Sequence, residues 1–381
     1  MTNEPQITFF SGGSALNDTS RVLKQYTRRS VHIVTPFDSG GSSATLRQAF
    51  HMPAIGDLRS RLLALADESH PGNYATYRLL NYRLPKEQTD SALLDELRTV
   101  TQKAHWLIDG VPPLWQEAIC RDIARFADEI PSDFDLRGAS LGNLMIAGGY
   151  LENNCRLDPV IKQFSCLINV QGYVNISCDT PSHLVAHLSN NEYIIGQHRM
   201  TGKEQPALEH AINSLFLCDV KTVQQHGNVE AISCDAKQDV LQKIQGSNLI
   251  CYAPGSFYSS LIANLLPTGI TNSIAMTNTS IVKVYVPSLG TDPELPNTAV
   301  YDRVQILSRY LTSGTYPLSQ LLNCLLYDAR VTEVSPMEAN KLRLQGIRLV
   351  NTELVNADDT TKDRYDPTLL SQALMRLATE G

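Results

Sequence analysis

Apolar runs and small-residue breaks alternate along the N-terminal part of the chain at the spacing of a βαβ unit. Ile7–Phe10 reads as a short buried strand, Ser11-Gly12-Gly13-Ser14 interrupts it, Leu16–Tyr26 carries a helical pattern, and Val31–Thr35 is a second buried strand. A second small-residue loop, Asp38–Ser43, leads into a helix at Ala44–Phe50, and Gly56–Asp67 predicts another. From about residue 74 to 130 the pattern is wholly helical. Within Ser91–Leu107, the positions Leu93, Leu94, Leu97, Val100, Ala104 and Leu107 share one helical face. Leu114, Trp115, Ala118, Ile119, Ile123 and Phe126 share a face in the next helix, between Pro112-Pro113 and Pro131. The segment reads as a helical insertion that covers or borders the site.

Beyond it, Ser140-Leu141-Gly142-Asn143 opens a small-residue helix, and Tyr173–Met200 alternates around Asn190-Asn191, predicting a hairpin or meander. Strand and helix then alternate again. Asn248–Tyr252 is a strand, Pro254-Gly255-Ser256 a tight loop and Phe257–Leu266 a helix. Ile281–Val286 is a strand, Thr298–Leu311 a helix, and a last helix runs from Asp366-Pro367 to about Ala378. No repeat or linker cuts the chain, so residues 1–381 read as one α/β domain with the 74–130 insertion inside it.

Composition narrows the function. Hydrophobic residues make up 43% and charged residues 19% of the 381 positions, which suits a packed globular protein. A net charge of −7 argues against nucleic acid as a partner, since tracking phosphates needs a basic surface. It leaves room for one local phosphate site built from backbone N–H groups. No apolar run reaches the ~20 residues that span a bilayer, and Met1–Gln6 lacks the order of a signal peptide. The eight cysteines contain no C-x-x-C pair, which reads as reduced thiols in a cytoplasmic protein without membrane attachment.

Four loops share one design, in which small residues directly precede a helix: Ser11–Ala15, Asp38–Ser43, Ser140–Asn143 and Pro254–Ser256. Glycine lets the backbone approach an oxygen, and a helix start offers unpaired N–H donors. Each loop alone reads first as a tight turn with a helix cap; together the four favour a site for a phosphorylated, nucleotide-type ligand. Neither the G-x-G-x-x-G fingerprint nor a P-loop is present. Asp38 follows a buried strand, where a carboxylate either holds Mg²⁺ or caps the next turn. Asp57 and Arg59 open a helix, where Asp57 also answers the helix dipole. His183 and His187 have i, i+4 spacing but stand in a predicted strand, which places them roughly 13 Å apart, too far to share a metal.

Taken in order, Asp38-Ser-Gly-Gly-Ser-Ser-Ala-Thr-Leu-Arg47, Met52-Pro-Ala-Ile-Gly-Asp-Leu-Arg59, Ser140-Leu-Gly-Asn-Leu144, Pro254-Gly-Ser-Phe-Tyr-Ser259 and Arg364-Tyr-Asp-Pro367 resemble the 2-phospho-L-lactate transferase family, with its CofD-type and YvcK-type members. The resemblance implies a three-layer α/β/α Rossmann-like fold with a mostly parallel sheet. It implies one of two activities. CofD-type members transfer a phospholactyl-type group from a guanosine diphosphate-linked donor to a deazaflavin hydroxyl with Mg²⁺ and release GMP. YvcK-type members are non-catalytic regulators of carbon metabolism and cell shape that bind a UDP-sugar.

On either reading the small-molecule partner is a nucleotide or nucleotide sugar, and a homodimer is an admissible assembly. The resemblance assigns Asp38 and Asp57 to catalysis and Asp38 to Mg²⁺. It assigns Gly12, Gly13, Ser14, Gly40, Gly41, Ser42, Arg59, Asn143, Gly255, Ser256 and Arg364 to the phosphates and nucleotide. One departure bears on turnover: the family's usual Ala-Asp-Asp after the second strand is Pro36-Phe37-Asp38 here, so a single carboxylate remains.

Overall fold

The computed structural model describes residues 4–202, 206–219, 229–312, 316–356 and 363–380. The chain divides into two compact units, one made of Met1–Phe37 and Gly172–Gly381, the other of Asp38–Gln171.

The first unit is built on a parallel sheet. Its strands are β1 (Ile7–Ser11), β2 (Val31–Val34), β3 (Tyr173–Ile176), β8 (Leu249–Tyr252), β9 (Val282–Tyr285), β10 (Cys324–Tyr327) and β11 (Arg348–Asn351), in the order β11-β10-β9-β8-β1-β2-β3. Period-two burial explains why these runs are apolar on both faces. Phe10, Ile33 and Tyr252 enter one core, while Phe9, Leu249 and Val284 enter the other. Helix α1 (Asn17–Leu23) and the Pro367–Glu380 helix cover the second face; the Gln238–Gln245 and Val300–Leu311 helices cover the first. The result is the expected three-layer α/β/α arrangement.

Strand β1 sits where the order reverses. It pairs with β2 through Thr8↔Val31 and with β8 through Ile7↔Leu249, both parallel. The chain therefore leaves β1 in one direction and returns on its other side, which makes the β1–β8 boundary a topological switch point.

Tyr173–Ile176 does not belong to the hairpin that alternation suggested. It pairs in parallel with β2 through Val31↔Tyr173, and periodicity cannot name a strand's partner. The hairpin itself is β4 (Ser182–Leu188) and β5 (Tyr193–Ile195), turning at Asn190-Asn191 with Asn191 at φ 66°. With β6 (Ile212–Asp219) and β7 (Ala231–Ile232) it forms an antiparallel sheet ordered β5-β4-β6-β7. His183 and His187 lie on β4, a strand, as expected.

Phe257–Leu266 is also corrected. It is a π turn at Phe257–Leu261 followed by a 3-10 turn at Ile262–Leu265, with Leu261 N donating to Ser256 O at 3.2 Å, the i→i+5 bond of a π turn.

The second unit is helical: α2 (Gly41–Phe50), α3 (Gly56–Ala64), α4 (Pro71–Asn81), α5 (Asp90–Thr101), α6 (Pro113–Glu129), α7 (Leu141–Glu152) and α8 (Leu157–Leu167). Helix α2 starts at Gly41 rather than Ala44, so Gly41-Ser42-Ser43 form its first turn. Helix α5 stops at Thr101, short of Leu107. Lys103 turns left-handed at φ 59°, and both Ala104 N and His105 N bond to Thr99 O, at 2.8 and 3.0 Å. Among the described residues no helix is long and apolar enough to cross a membrane.

Helices α6 and α7 approach through glycine. A Cβ on Gly148 would lie 1.7 Å from the Asp122 carbonyl oxygen, a backbone atom that has nowhere to retreat. Gly148→Ala is therefore expected to destabilise the protein by about 3 kcal/mol or more. Gly149→Ala would meet Val160 Cγ1 at 2.9 Å, the end of a side chain, and is expected to cost less. Urea unfolding of both variants checks the order, and equal midpoints would contradict it.

Candidate functional site

The loops that follow β1, β8 and β9 surround a cavity of about 400 Å³ in the first unit. Its walls include Ser14 and Ala15 after β1, Gly255 and Ser256 after β8, Ser288 after β9, and Arg364 from the segment before the last helix. Gly12 and Gly13 belong to the β1 loop, though they are not among the described wall residues.

Gly255 is at φ 146°, a conformation that disfavours a side chain, and a Cβ there would stand 3.5 Å from Ala15 Cβ. The Gly255 N–H donates to Ser288 Oγ at 2.8 Å, and the same hydroxyl donates back to Gly255 O at 2.5 Å. This N–H reaches a ligand only if Ser288 turns away.

The N–H groups of the next turn are occupied as well, by two acids that pattern reading did not pick out. Phe257 N donates to Asp292 Oδ2 at 3.0 Å; Tyr258 N and Ser259 N donate to Glu294 Oε2 at 2.7 and 2.9 Å. The other Glu294 oxygen bonds the Ser259 hydroxyl. Burial, with Asp292 adding to it, pushes the Glu294 carboxyl from 4.5 up to about 7. Burial also raises Asp292. The signal was present in Asp292-Pro293-Glu294, two acids shortly after a buried strand. Two internal carboxyl groups thus fill the donors that a helix-start argument would leave for a phosphate.

Asp18, Asp292, Asp363 and Arg364 are the charged wall residues described, and Arg364 is exposed. Among the described residues Arg364 has no ion pair.

The second unit gathers the other predicted residues. Gly40 caps α2 in an extended conformation, and its N–H donates to Asp38 Oδ1 at 3.1 Å. Arg47 Nη1 donates to Asp38 O at 3.0 Å and fixes that backbone. Gly56 opens α3 against this loop, where a Cβ would lie 2.7 Å from Ser43 Oγ and 3.3 Å from Asp38 Oδ2. Ser140 caps α7 by accepting from Asn143 N at 3.2 Å, and Asn143 Nδ2 reaches Ser42 Oγ at 3.1 Å. Asp57 stands in the first turn of α3, favourable to the helix dipole.

Arg59 is the distinctive member. It is 5% exposed, and burial, with Arg83 nearby, lowers its guanidinium from 12.5 to about 10. Its hydrogen bond is a long one, Nη1 to Asn81 Oδ1 at 3.4 Å, and it makes no ion pair among the described residues. Arg59 Nε has no partner, and neither does the buried Asn143 Oδ1. Gly142 lets Arg59 and the Leu80 carbonyl pack against α7, since a Cβ there would lie 2.9 Å from Arg59 Cδ and 2.4 Å from Leu80 O. Among the described residues no three His, Cys, Asp or Glu side chains cluster as a metal cage.

The family model described as 2-phospho-L-lactate transferase CofD matches residues 7–369. A protein named gluconeogenesis factor from Bacillus subtilis is 25% identical over 317 residues, covering 82% of this chain and 77% of its own. Another of that name from Halalkalibacterium halodurans is 23% identical over 378 residues, covering 97% and 95%. A crystal structure of a UPF0052-family protein from Bacillus halodurans shares the fold, with TM-score 0.69 over 97% of this chain and 99% of that one at 20% identity.

The buried Glu294 makes a pH prediction. Its folded pKa, about 7, exceeds the ordinary 4.5, so the folded state holds the proton more tightly. The stabilisation is complete below about pH 4.5 and is lost as pH rises through 7, at most about 3 kcal/mol for this shift. Wild type is expected to lose roughly 2–3 kcal/mol relative to Glu294→Gln between pH 4.5 and 8. Urea melts across that range check it, and parallel pH curves for the two proteins would refute it.

Proposed function

The chain belongs to the 2-phospho-L-lactate transferase CofD family, and from that premise we propose that it binds a nucleotide diphosphate-type ligand as a non-catalytic regulator of carbon metabolism. The observation that carries the binding is Arg59. A buried guanidinium without a carboxylate is costly, and an anion is what offsets that cost. A phosphate oxygen would complete Arg59 Nε, and a ligand hydroxyl would complete Asn143 Oδ1. The cavity of the first unit, about 400 Å³, has the size of a small-molecule site and stands at the sheet's switch point. A ligand held in that cavity, a separate candidate site, would meet Ser14, Ser256 and Arg364, with Gly12 and Gly13 shaping the loop.

Two observations favour regulation over turnover. Relatives over most of the chain carry the name gluconeogenesis factor. The position where the resemblance expects a second acid holds Phe37, 0% exposed within the apolar core.

The second reading is a Mg²⁺-dependent transferase of the phospholactyl type. Asp38 suits it as one carboxylate ligand, with ligand phosphates as the other donors, which is an ordinary way to hold Mg²⁺. The ion would neutralise charge on the transferring oxygens. Asp57 would then be the further acid near the site.

Thermal shift with GDP, GTP, UDP and UDP-N-acetylglucosamine, each with and without Mg²⁺, tests both. Ligand at 100 times its dissociation constant stabilises by about 2.7 kcal/mol, a rise of several degrees. The regulator reading expects the largest shift with the UDP-sugar, no need for Mg²⁺ and no product. The transferase reading expects guanine preference, Mg²⁺ dependence and GMP release with a donor and a deazaflavin-type acceptor. Arg59→Met is expected to fold as stably as wild type or better, yet lose the ligand shift. Loss of stability with the shift retained would make Arg59 structural, and no shift with any nucleotide would reject both readings.

A further inference from the structure

Two of the eight cysteines, 56 residues apart in sequence, meet inside the first unit. Cys178 follows β3, and Cys234 lies between β7 and the Gln238–Gln245 helix. Their sulfurs hydrogen bond to each other at 3.4 Å, with Cys178 0% and Cys234 5% exposed. Two of the other four buried thiols, Cys251 and Cys324, sit within the sheet, where burial pushes both up, Cys324 to about 11. Cys155 and Cys166 are exposed.

The segments carrying the pair are already clamped together. Lys237 N donates to Ser177 O at 3.1 Å, and Lys237 Nζ bonds both Asp179 carboxylate oxygens, at 2.8 and 3.0 Å. Asp235 bridges to Thr268. The clamp holds the two sulfurs in register, so that a small side-chain movement brings them to bonding distance.

We propose that Cys178 and Cys234 are a modification site, a dithiol that hydroperoxides convert into a disulfide. Cys234 reacts first. It is the more accessible of the two, and the bond with Cys178 lowers its thiol while raising that of Cys178. The Cys234 thiolate attacks the peroxide, the O–O bond breaks, and sulfenic acid and water form after one proton is taken up. The Cys178 sulfur then attacks the sulfenic sulfur, an S–S bond replaces the S–O bond, and a second water leaves. Two thiols and one hydrogen peroxide give one disulfide and two waters, so electrons and atoms balance. The product joins the end of β3 covalently to the segment after β7.

The test uses the full chain. Reduced protein is treated with hydrogen peroxide, quenched, alkylated under denaturing conditions and digested without reductant. The expected result is a peptide pair joined through Cys178 and Cys234, two hydrogens lighter than the sum of its parts, that dithiothreitol separates. The melting midpoint should rise with peroxide and return with dithiothreitol in wild type, and stay unchanged in Cys234→Ala. Recovery of both residues as alkylated thiols would overturn the proposal. So would oxidation confined to Cys155 and Cys166, or a bond between any other pair. The peptide map needs no variant, so the outcome stands even where an alanine variant folds poorly.

Discussion

The parallel pairing of β1 with β8 is the contact on which the first unit and its candidate site depend. It joins residues some 240 positions apart, from Ile7↔Leu249 to Phe10↔Tyr252. Its N-terminal end is held by side chains as well: Gln6 Nε2 donates to Lys243 O at 2.6 Å, and Thr8 Oγ1 bonds Ser247 Oγ at 2.6 Å. With β2 on the other side of β1, the two strands set the point where the sheet changes direction. Their loops, led by Ser14 and Gly255, then bound the cavity. Long-range parallel pairing is expensive in loop entropy before it is rewarded, which fits its support by side-chain bonds and by apolar burial on both faces.

Charge is arranged differently in the two units. In the first, Asp292 and Glu294 satisfy the backbone donors of the Phe257 turn from within the protein. That turn is thereby fixed, and its amides are not offered to a ligand. In the second, Arg59 is buried without a carboxylate, and the buried Asn143 Oδ1 of the same unit lacks a partner. A buried polar group left without a protein partner calls for water, an ion or a ligand. On that ground the second unit's cluster suits an anion better than the first unit's cavity, which offers Arg364 and hydroxyls around an otherwise acidic wall.

Much of the fold was legible because periodicity reports burial directly. The βαβ start, the strands at 248–252 and 281–286, and the capped helix at Ser140 all stand close to where the pattern puts them. Partners were not legible, so Tyr173–Ile176 was placed in the hairpin although it closes the parallel sheet. Nor were helix ends that depend on one left-handed residue, such as Lys103. The small-residue loops identified Ser42 and Asn143, which do meet. They hid the capture of the Gly255 and Phe257 amides, because a donor's occupant lies thirty residues away in sequence and carries no local signature.

The central claim is that a ligand anion binds the buried, carboxylate-free Arg59 of the second unit. Hydrogen exchange with and without UDP-N-acetylglucosamine, followed by mass spectrometry, reads this directly. The account predicts slowed exchange in peptides that cover Asp38–Ser43 and Ile55–Arg61. Unchanged exchange in both at saturating ligand, with protection found only in other segments, would contradict it.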